Sequence, residues 1–235
     1  MIILIVGGSG GIGQALVTRY ASEQPEAQIY ATYRTTKPTT APQNVQWLHL
    51  DASQEESVRA LAAQLPKVDI LINAIGLLHT PDKLPEKSIQ EFDPDFFNDN
   101  LKANTLPTLL LAKHFAKALK AKHPTYFVAL SARIGSISDN QLGGWISYRS
   151  AKAALNMALK TISIEWRYKL PNCCVLAFHP GTTDTALSMP FQKNVPPGKL
   201  FSADFVAQSL TDLIQSKQAS DTGGFYSYDG SAITW

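Results

Sequence analysis

A glycine-rich segment near the amino terminus constrains the fold of this chain more than any other feature. An apolar run at residues 2–6 leads directly into Gly7-Gly8-Ser9-Gly10-Gly11-Ile12-Gly13, and residues 12–22 then have helical character. Glycines in such a turn let the backbone bend tightly and approach a pyrophosphate, whose charge is met by the N–H groups and dipole of the following helix. Because the glycines join a strand to a helix, they predict a dinucleotide site.

Short apolar runs rich in β-branched residues alternate along the chain with segments of helical character. The runs predict strands buried on both faces, at residues 2–6, 28–33, 45–50, 68–73, 125–131 and 173–178. Helices are predicted at residues 12–22, 54–64, 94–122, 147–169 and 203–216, with a last strand near 223–226. This order is typical of an α/β, doubly wound Rossmann fold, a parallel sheet of about seven strands with helices on both faces.

Length and composition favour one soluble domain. A chain of 235 residues with 45% hydrophobic content can bury a single core, so we predict one domain over residues 1–235. Two long loops are expected at residues 80–93 and 188–202, and the second is predicted to be a substrate lid. The amino-terminal run is too short for a signal sequence and no stretch is long enough to span a membrane, so we expect a cytoplasmic protein.

Charge and cysteine content argue against several classes of partner. The formal net charge is +2, which is too small to predict binding to nucleic acid or to an anionic membrane. Cys173 and Cys174 are the only cysteines. Adjacent residues on a strand point to opposite faces, so we predict two buried free thiols, with neither a disulfide nor a metal site.

The end of the second predicted strand indicates the type of nucleotide. An Asp or Glu about twenty residues after the glycine turn would hold an adenosine ribose 2′-hydroxyl and repel a 2′-phosphate. No carboxylate occurs between Ala27 and Leu50, and Arg34 follows the strand instead. A guanidinium pairs in bidentate fashion with a phosphate, so we predict NADP(H) as the preferred cofactor, with NAD as the alternative.

Tyr148 and Lys152 are the strongest candidates for catalysis. Residues four apart share a face of a helix, so the phenol and the ammonium would lie side by side. A nearby positive charge stabilises a tyrosinate and moves the pKa of the phenol toward the working pH. A carbonyl group reduced by hydride needs a proton on its oxygen, which such a phenol can donate.

These motifs together resemble the short-chain dehydrogenase/reductase family. Its glycine pattern maps onto Gly7, Gly11 and Gly13, and its Tyr-x-x-x-Lys motif onto Tyr148 and Lys152. Essentially the whole chain is similar to this family, and residues 132–137, 143–145 and 229–235 are most similar to its C-factor and sniffer-type subgroup. The resemblance implies that Tyr148 is the acid/base and that Lys152 lowers its pKa. It also implies a homodimer or homotetramer that contacts through the helices near 94–122 and 147–169.

The resemblance also implies which residues bind the cofactor. These comprise the glycine turn, the ends of the next three strands, the Tyr-x-x-x-Lys pair and a Pro-Gly element after the sixth strand, namely Gly7, Ser9, Gly10, Gly11, Ile12, Gly13, Arg34, Asp51, Ala52, Asn73, Ala74, Gly76, Tyr148, Lys152, Pro180, Gly181, Thr183 and Thr185. Val6 stands where the family usually has Thr, which removes one side-chain hydrogen bond from the turn.

Two further catalytic positions follow from the resemblance. Asn104 is similar to the helix Asn that holds a water in a proton relay toward the lysine. The substrate-polarising Ser of the family aligns with Ala132, and Ser131 immediately precedes it. We take Ser131 as the candidate if the backbone bulges there, with Ser136 and Ser138 on the following loop as alternatives.

The sequence is compatible with three functions. The first is an NADP(H)-dependent oxidoreductase that interconverts a small carbonyl compound and its alcohol. The second is a signalling or regulatory protein that binds NAD(P) with little turnover, and the third, a nucleotide-sugar epimerase, is disfavoured because such chains are usually longer. Apolar residues expected around the substrate favour a hydrophobic or aromatic compound, and they are Leu142, Trp145, Met189 and Phe191.

Overall fold

The computed structural model describes residues 1–39 and 42–235. In these residues the strands are β1 Ile2–Val6, β2 Gln28–Tyr33, β3 Val45–His49, β4 Ile70–Asn73, β5 Thr125–Leu130, β6 Cys173–His179, β7 Thr182–Thr183, β8 Leu200–Phe201 and β9 Gly224–Ser227. The main sheet has the order β3-β2-β1-β4-β5-β6-β9, and every pair in it is parallel. The predicted fold class is confirmed.

Helices cover both faces of this sheet. They are α1 Gly11–Glu23, α2 Glu55–Gln64, α3 Pro94–Asn104, α4 Leu106–Phe115, α5 Ile146–Lys169 and α6 Ala203–Ser216. One apolar core packs α1 and α6 against the sheet, and a second core packs α2, α4 and α5 against the opposite face. No helix within residues 1–39 and 42–235 combines the length and hydropathy needed to cross a membrane.

The order of the strands creates a crevice at the carboxyl ends of the central strands β1 and β4. The chain proceeds outward from β1 through β2 and β3, and then returns to β4 on the other side of β1. The connections that leave β1 and β4 therefore diverge to opposite faces, and ligands of doubly wound sheets bind at such a point. Residues that follow the carboxyl ends of these strands are the candidates for a site.

The predicted helix at residues 94–122 is wrong in its extent. The chain forms α3 and α4, separated by Thr105, and α4 ends at Phe115. Pro107 lacks the N–H that would continue the hydrogen bonding of α3, so the chain begins a new helix there. The hydroxyl of Thr105 donates to the Ala151 carbonyl of α5 at 2.8 Å, which fixes the break against that helix.

The two cysteines are buried and free in the described residues, as predicted. Cys173 packs into the core on the α4 and α5 face of β6, whereas Cys174 packs into the core on the α1 and α6 face. Their thiols therefore point to opposite sides of one strand. Burial raises the pKa of each thiol to about 12, so both stay protonated and unreactive at neutral pH.

A carboxylate from a distant loop fixes the start of α5. Trp145 precedes the helix with φ of 53° and gives it no side-chain cap. The Glu86 carboxylate accepts from the Ser147 N–H at 3.3 Å and from its hydroxyl, and the Glu86 carbonyl accepts from the Trp145 N–H at 2.5 Å. Glu86 is buried, and a negative charge at a helix amino terminus is stabilising. The loop at residues 80–93 is thereby attached to the start of α5.

We expect Glu86→Ala to destabilise the protein by about 1–3 kcal/mol, because it leaves the buried Ser147 donors without an acceptor. Urea denaturation followed by circular dichroism measures this free energy of unfolding. Glu26→Ala, at an exposed position, is the matched control and should change it by less than about 0.5 kcal/mol. Equal stability of the two variants would contradict this capping role.

Candidate active site

The turn between β1 and α1 has room only for glycine at its centre. Gly7 has φ of +79°, and a Cβ at Gly13 would lie 2.1 Å from the Gly7 carbonyl oxygen. A Cβ at Gly11 would lie 2.5 Å from Cγ2 of Thr185, which brings the loop after β6 against this turn. Two of the predicted cofactor segments therefore meet here.

A hydrogen bond to the neighbouring strand holds the glycine turn. Thr32 of β2 is buried, and its Oγ1 accepts from the Gly7 N–H at 2.9 Å. The Thr32 carbonyl also accepts from the Ser9 N–H at 3.3 Å. The turn is therefore held to the sheet by one threonine on β2.

The residues around this turn fit a dinucleotide. Gly10 precedes α1 without a side-chain cap, and the first turn of α1 contains no acidic residue, so its positive end suits an anion. On the facing loop, the Thr183 hydroxyl is buried and has no hydrogen-bond partner in the described part of the chain. An unpaired buried hydroxyl is costly, and a polar ligand beside the loop would satisfy it.

The part of the site predicted to bind the adenosine of the cofactor carries one positive and one negative side chain. Arg34 is exposed just after β2 and forms no salt bridge within residues 1–39 and 42–235. Asp51 follows β3 and accepts from the Ser53 hydroxyl at 2.8 Å. That hydrogen bond holds the pKa of Asp51 below its usual range, and the nearby Arg34 charge adds to the effect. Ala52 is buried beside it.

The end of β4 is shaped by an asparagine that is already hydrogen-bonded. The Asn73 amide donates to the Thr108 hydroxyl at 2.8 Å and accepts from the Ile75 N–H at 3.1 Å. The segment Ala74–Ile75 packs against Gly7 of the glycine turn. Asn73 therefore helps to hold the ends of β4 and β1 together.

Tyr148 and Lys152 lie side by side on α5, as their spacing predicts. Both are buried, and Nζ of Lys152 lies 5.7 Å from the centre of the Tyr148 ring. Lys152 donates to the Leu130 carbonyl, at the end of β5, at 2.9 Å. Burial lowers the pKa of Lys152 to about 7 and raises that of Tyr148 above its usual range. The expected lowering of the Tyr148 pKa is thus not found, because desolvation dominates at this depth.

Asn104, at the end of α3, pairs with the backbone of the loop after β4. Its Oδ1 accepts from the Leu77 N–H at 3.0 Å and its Nδ2 donates to the Leu77 carbonyl at 2.8 Å. A Cβ at Gly76 would lie 3.5 Å from Asn104 Oδ1 and 3.8 Å from Lys152 Nζ. Asn104, Gly76 and Lys152 therefore converge, and the proton-relay role of Asn104 stays a prediction.

The hydroxyls of the serine candidates are already hydrogen-bonded within the protein. Ser131 borders it, but its hydroxyl is buried and donates to Oδ1 of Asn156 on α5 at 2.5 Å. The Ser136 hydroxyl accepts from the Asp139 N–H at 3.2 Å, and that of Ser138 donates to Oγ1 of Thr234 at 2.8 Å. Ala132 itself lines the cleft, so a methyl group occupies the position aligned with the family's serine.

A largely apolar cleft of about 460 Å³ opens beside Tyr148. Its walls come from the start of α1, the loop after β4, the end of β5, the start of α5 and the chain from the end of β6 to residue 199. The lining residues include Ile12, Leu78, Ser131, Ala132, Ile134, Trp145, Tyr148, His179, Pro180, Gly181, Thr183, Thr185, Phe191, Val195 and Pro196. Trp145 and Phe191 line it as expected, with ring centres 4.9 Å apart. Leu142 and Met189 are largely exposed and do not, so their prediction is wrong.

Two residues of this region were not identified from the sequence. His179 directly precedes Pro180 and lines the cleft, and its place beside the Pro-Gly element was the only available signal. Glu86 lies 61 residues from its partner Ser147, and no local pattern connects the two.

Comparisons with known proteins agree with this architecture. A family model described as short chain dehydrogenase matches residues 1–196. A 1-hydroxy-2-glutathionyl-2-methyl-3-butene dehydrogenase of Rhodococcus sp. (strain AD45) is 27% identical, over 99% of this chain and 99% of its own length.

Two solved structures have the same fold. A short-chain dehydrogenase/reductase of Burkholderia multivorans with bound NADP has a TM-score of 0.82 at 26% identity, covering 100% of this chain and 99% of the other. Carbonyl reductase Sniffer of D. melanogaster has a TM-score of 0.83 at 23% identity, covering 99% and 98%, so the expected likeness to sniffer-type proteins is confirmed for the fold. The family model extends over most of the chain, so this protein belongs to the short-chain dehydrogenase/reductase family.

Proposed function

We propose that this oxidoreductase uses NADPH to reduce the carbonyl group of a small hydrophobic compound, and that it catalyses the reverse reaction with the alcohol. The observation that carries the proposal is the buried Tyr148–Lys152 pair on α5, beside a cleft of about 460 Å³. Trp145 and Phe191 line that cleft and provide aromatic surface for an apolar substrate. A phenol next to such a cleft can reach the oxygen of a bound carbonyl group.

Tyr148 is the proton donor in this proposal. Burial raises the pKa of its phenol, so the hydroxyl is protonated at neutral pH and can act as a general acid. When the phenol gives up its proton, the nearby Lys152 ammonium stabilises the resulting tyrosinate. The bound dinucleotide supplies the hydride in this chemistry.

Arg34 supports the choice of NADPH over NADH. Its guanidinium is exposed at the end of β2, and no salt bridge in the described residues neutralises it. A free guanidinium can form a bidentate pair with a 2′-phosphate. The Burkholderia multivorans relative with bound NADP is consistent with the same preference.

One observation favours the second candidate, a protein that binds the dinucleotide with little turnover. Ala132 stands where the family has its serine, and the Ser131 hydroxyl donates to Asn156. The buried pair of Tyr148 and Lys152 argues against it, because binding alone does not require two titratable groups in contact.

Tyr148→Phe tests the acid. We expect kcat for carbonyl reduction to fall by about 10²–10⁴-fold, because the proton donor is lost while the ring is kept. NADPH oxidation, followed by absorbance with aldehydes, ketones and quinones, measures the effect, and fluorescence titration should show unchanged NADPH binding. Tyr168→Phe, at the exposed end of α5, is the control. Binding of NADPH with no turnover of any carbonyl by the parent protein would support the non-catalytic candidate.

The pKa of Lys152 predicts how reduction depends on pH. Burial lowers that pKa to about 7, so the side chain is charged below this pH and neutral above it. Since the charge stabilises the developing tyrosinate, kcat/KM for reduction should decline as pH rises through about 7. Lys152→Met should be slower and should lack this decline. A profile that is flat through neutral pH in the parent protein would contradict the assigned role.

Arg34→Ala tests the cofactor preference. We expect it to weaken NADPH binding by about 10-fold or more, the effect of losing a charge-assisted hydrogen bond, and to leave NADH binding unchanged. Parallel fluorescence titrations with both cofactors measure the two dissociation constants. Arg59→Ala, an exposed arginine on α2, is the control and should alter neither. Equal affinity of the parent for NADPH and NADH would refute the role given to Arg34.

A further inference from the structure

His179 lies at the end of β6 and lines the same cleft as Tyr148. Its Nδ1 accepts a hydrogen bond from the Arg133 N–H at 3.2 Å. A backbone N–H is always a donor, so Nδ1 carries no proton in this arrangement. The single proton of the neutral ring is therefore on Nε2, the nitrogen for which the described residues offer no acceptor.

The backbone that holds His179 is packed directly on the catalytic helix. Arg133 begins a short helical turn, Arg133–Gly135, and a Cβ at Gly135 would lie 2.7 Å from Cβ of Lys152. The turn therefore cannot move away from α5 without opening this contact. Through Arg133, His179 is fixed relative to Lys152, and so relative to Tyr148 one helical turn away.

Other side-chain donors on this wall of the cleft are absent or already used. Ala132 presents a methyl group, and Ile134 is apolar. The hydroxyl of Ser131 donates to Asn156. Among the cleft-lining residues of the described segments 131–134 and 179–181, His179 alone has a side-chain N–H or O–H without an acceptor, and the unpaired Thr183 hydroxyl lies farther along the chain, in β7.

The imidazole is neutral at physiological pH. Burial is the main cause that lowers the pKa of His179 to about 4, and the Arg133 charge lowers it further. Asp139 and Asp229 oppose this effect without overcoming it. A neutral ring can donate one hydrogen bond into the cleft without bringing a charge into apolar surroundings.

We infer that His179 is a catalytic residue that donates a hydrogen bond from Nε2 to the oxygen of the substrate carbonyl, opposite the Tyr148 hydroxyl. The inference rests on the proposed reduction of a carbonyl group, whose oxygen gains negative charge as hydride arrives. A fixed donor directed at that oxygen stabilises the charge as it develops. His179 thus provides the hydrogen bond to the carbonyl oxygen that a serine hydroxyl at position 132 would otherwise donate.

A double-variant experiment tests this inference. On the best substrate of the parent protein, His179→Phe should lower kcat by about 10²-fold, the usual effect of removing one such donor. Ala132→Ser should raise kcat by at least about 10-fold more in the His179→Phe background than in the parent protein, because the new hydroxyl replaces the lost donor. His123→Phe, at an exposed site next to Asp69, is the matched control and should behave like the parent.

A further variant and two further measurements distinguish a catalytic role of His179 from a purely structural one. His179→Asn keeps an oxygen that can accept from the Arg133 N–H but loses Nε2, so it should fold like the parent and be as slow as His179→Phe. Melting temperature and NADPH affinity are measured for every variant. A His179→Asn variant with the parent's kcat, or a loss in His179→Phe that Ala132→Ser does not reverse, would overturn the inference. A parent protein that reduces no carbonyl compound would instead overturn the proposed function, which is a separate result.

Discussion

A buried lysine joins α5 to the central sheet. Lys152 is buried and donates a hydrogen bond to the Leu130 carbonyl at the end of β5. Because burial removes the ammonium group from water, its pKa is lowered to about 7. The Arg133–Gly135 turn closes over the lysine so tightly that no side chain fits at Gly135. β5, this turn and α5 therefore act as one rigid unit, and Tyr148 takes its position from that unit.

Hydrogen bonding within the scaffold decides which polar residues are left for chemistry. Ser131 and Asn104 carry suitable groups, yet their side chains are bonded to Asn156 and to the Leu77 backbone. They shape the strand ends and the loop after β4. Thr183 and His179 differ from them, because each keeps a polar group that the described residues leave unmatched. A residue's chemical type is therefore a weaker guide to its role than the partners it already has.

The parts of the structure that depend on local pattern could be predicted from the sequence. The central strands β1, β4, β5 and β6 are largely buried on both faces, so their apolar runs identified them to within about two residues. The two-residue strands β7 and β8 were not predicted. The Tyr148–Lys152 spacing placed both groups on one face of α5. The break at Pro107 was missed although the proline itself and the weak helix formers Asn104 and Thr105 before it indicate a helix boundary. Glu86 and His179 could not be recognised, since their partners lie 61 and 46 residues away and only the fold unites them. The direction of the Ser131 hydroxyl likewise depends on Asn156, 25 residues later.

The short pairing of β7 with β8 has a consequence for how relatives of this protein diversify. Thr182 and Thr183 pair with Leu200 and Phe201, and the Asp184 N–H adds a bond to the Phe201 carbonyl, so both ends of the intervening segment are clasped together. Residues 185–199 thus leave and re-enter the domain at a single point. Apart from Thr185, which packs against Gly11 of the glycine turn, these residues can be lengthened, shortened or exchanged without disturbing the main β-sheet. Natural variation or loop grafting can therefore change this part of the cleft lining without altering the main sheet or the Tyr148–Lys152 pair.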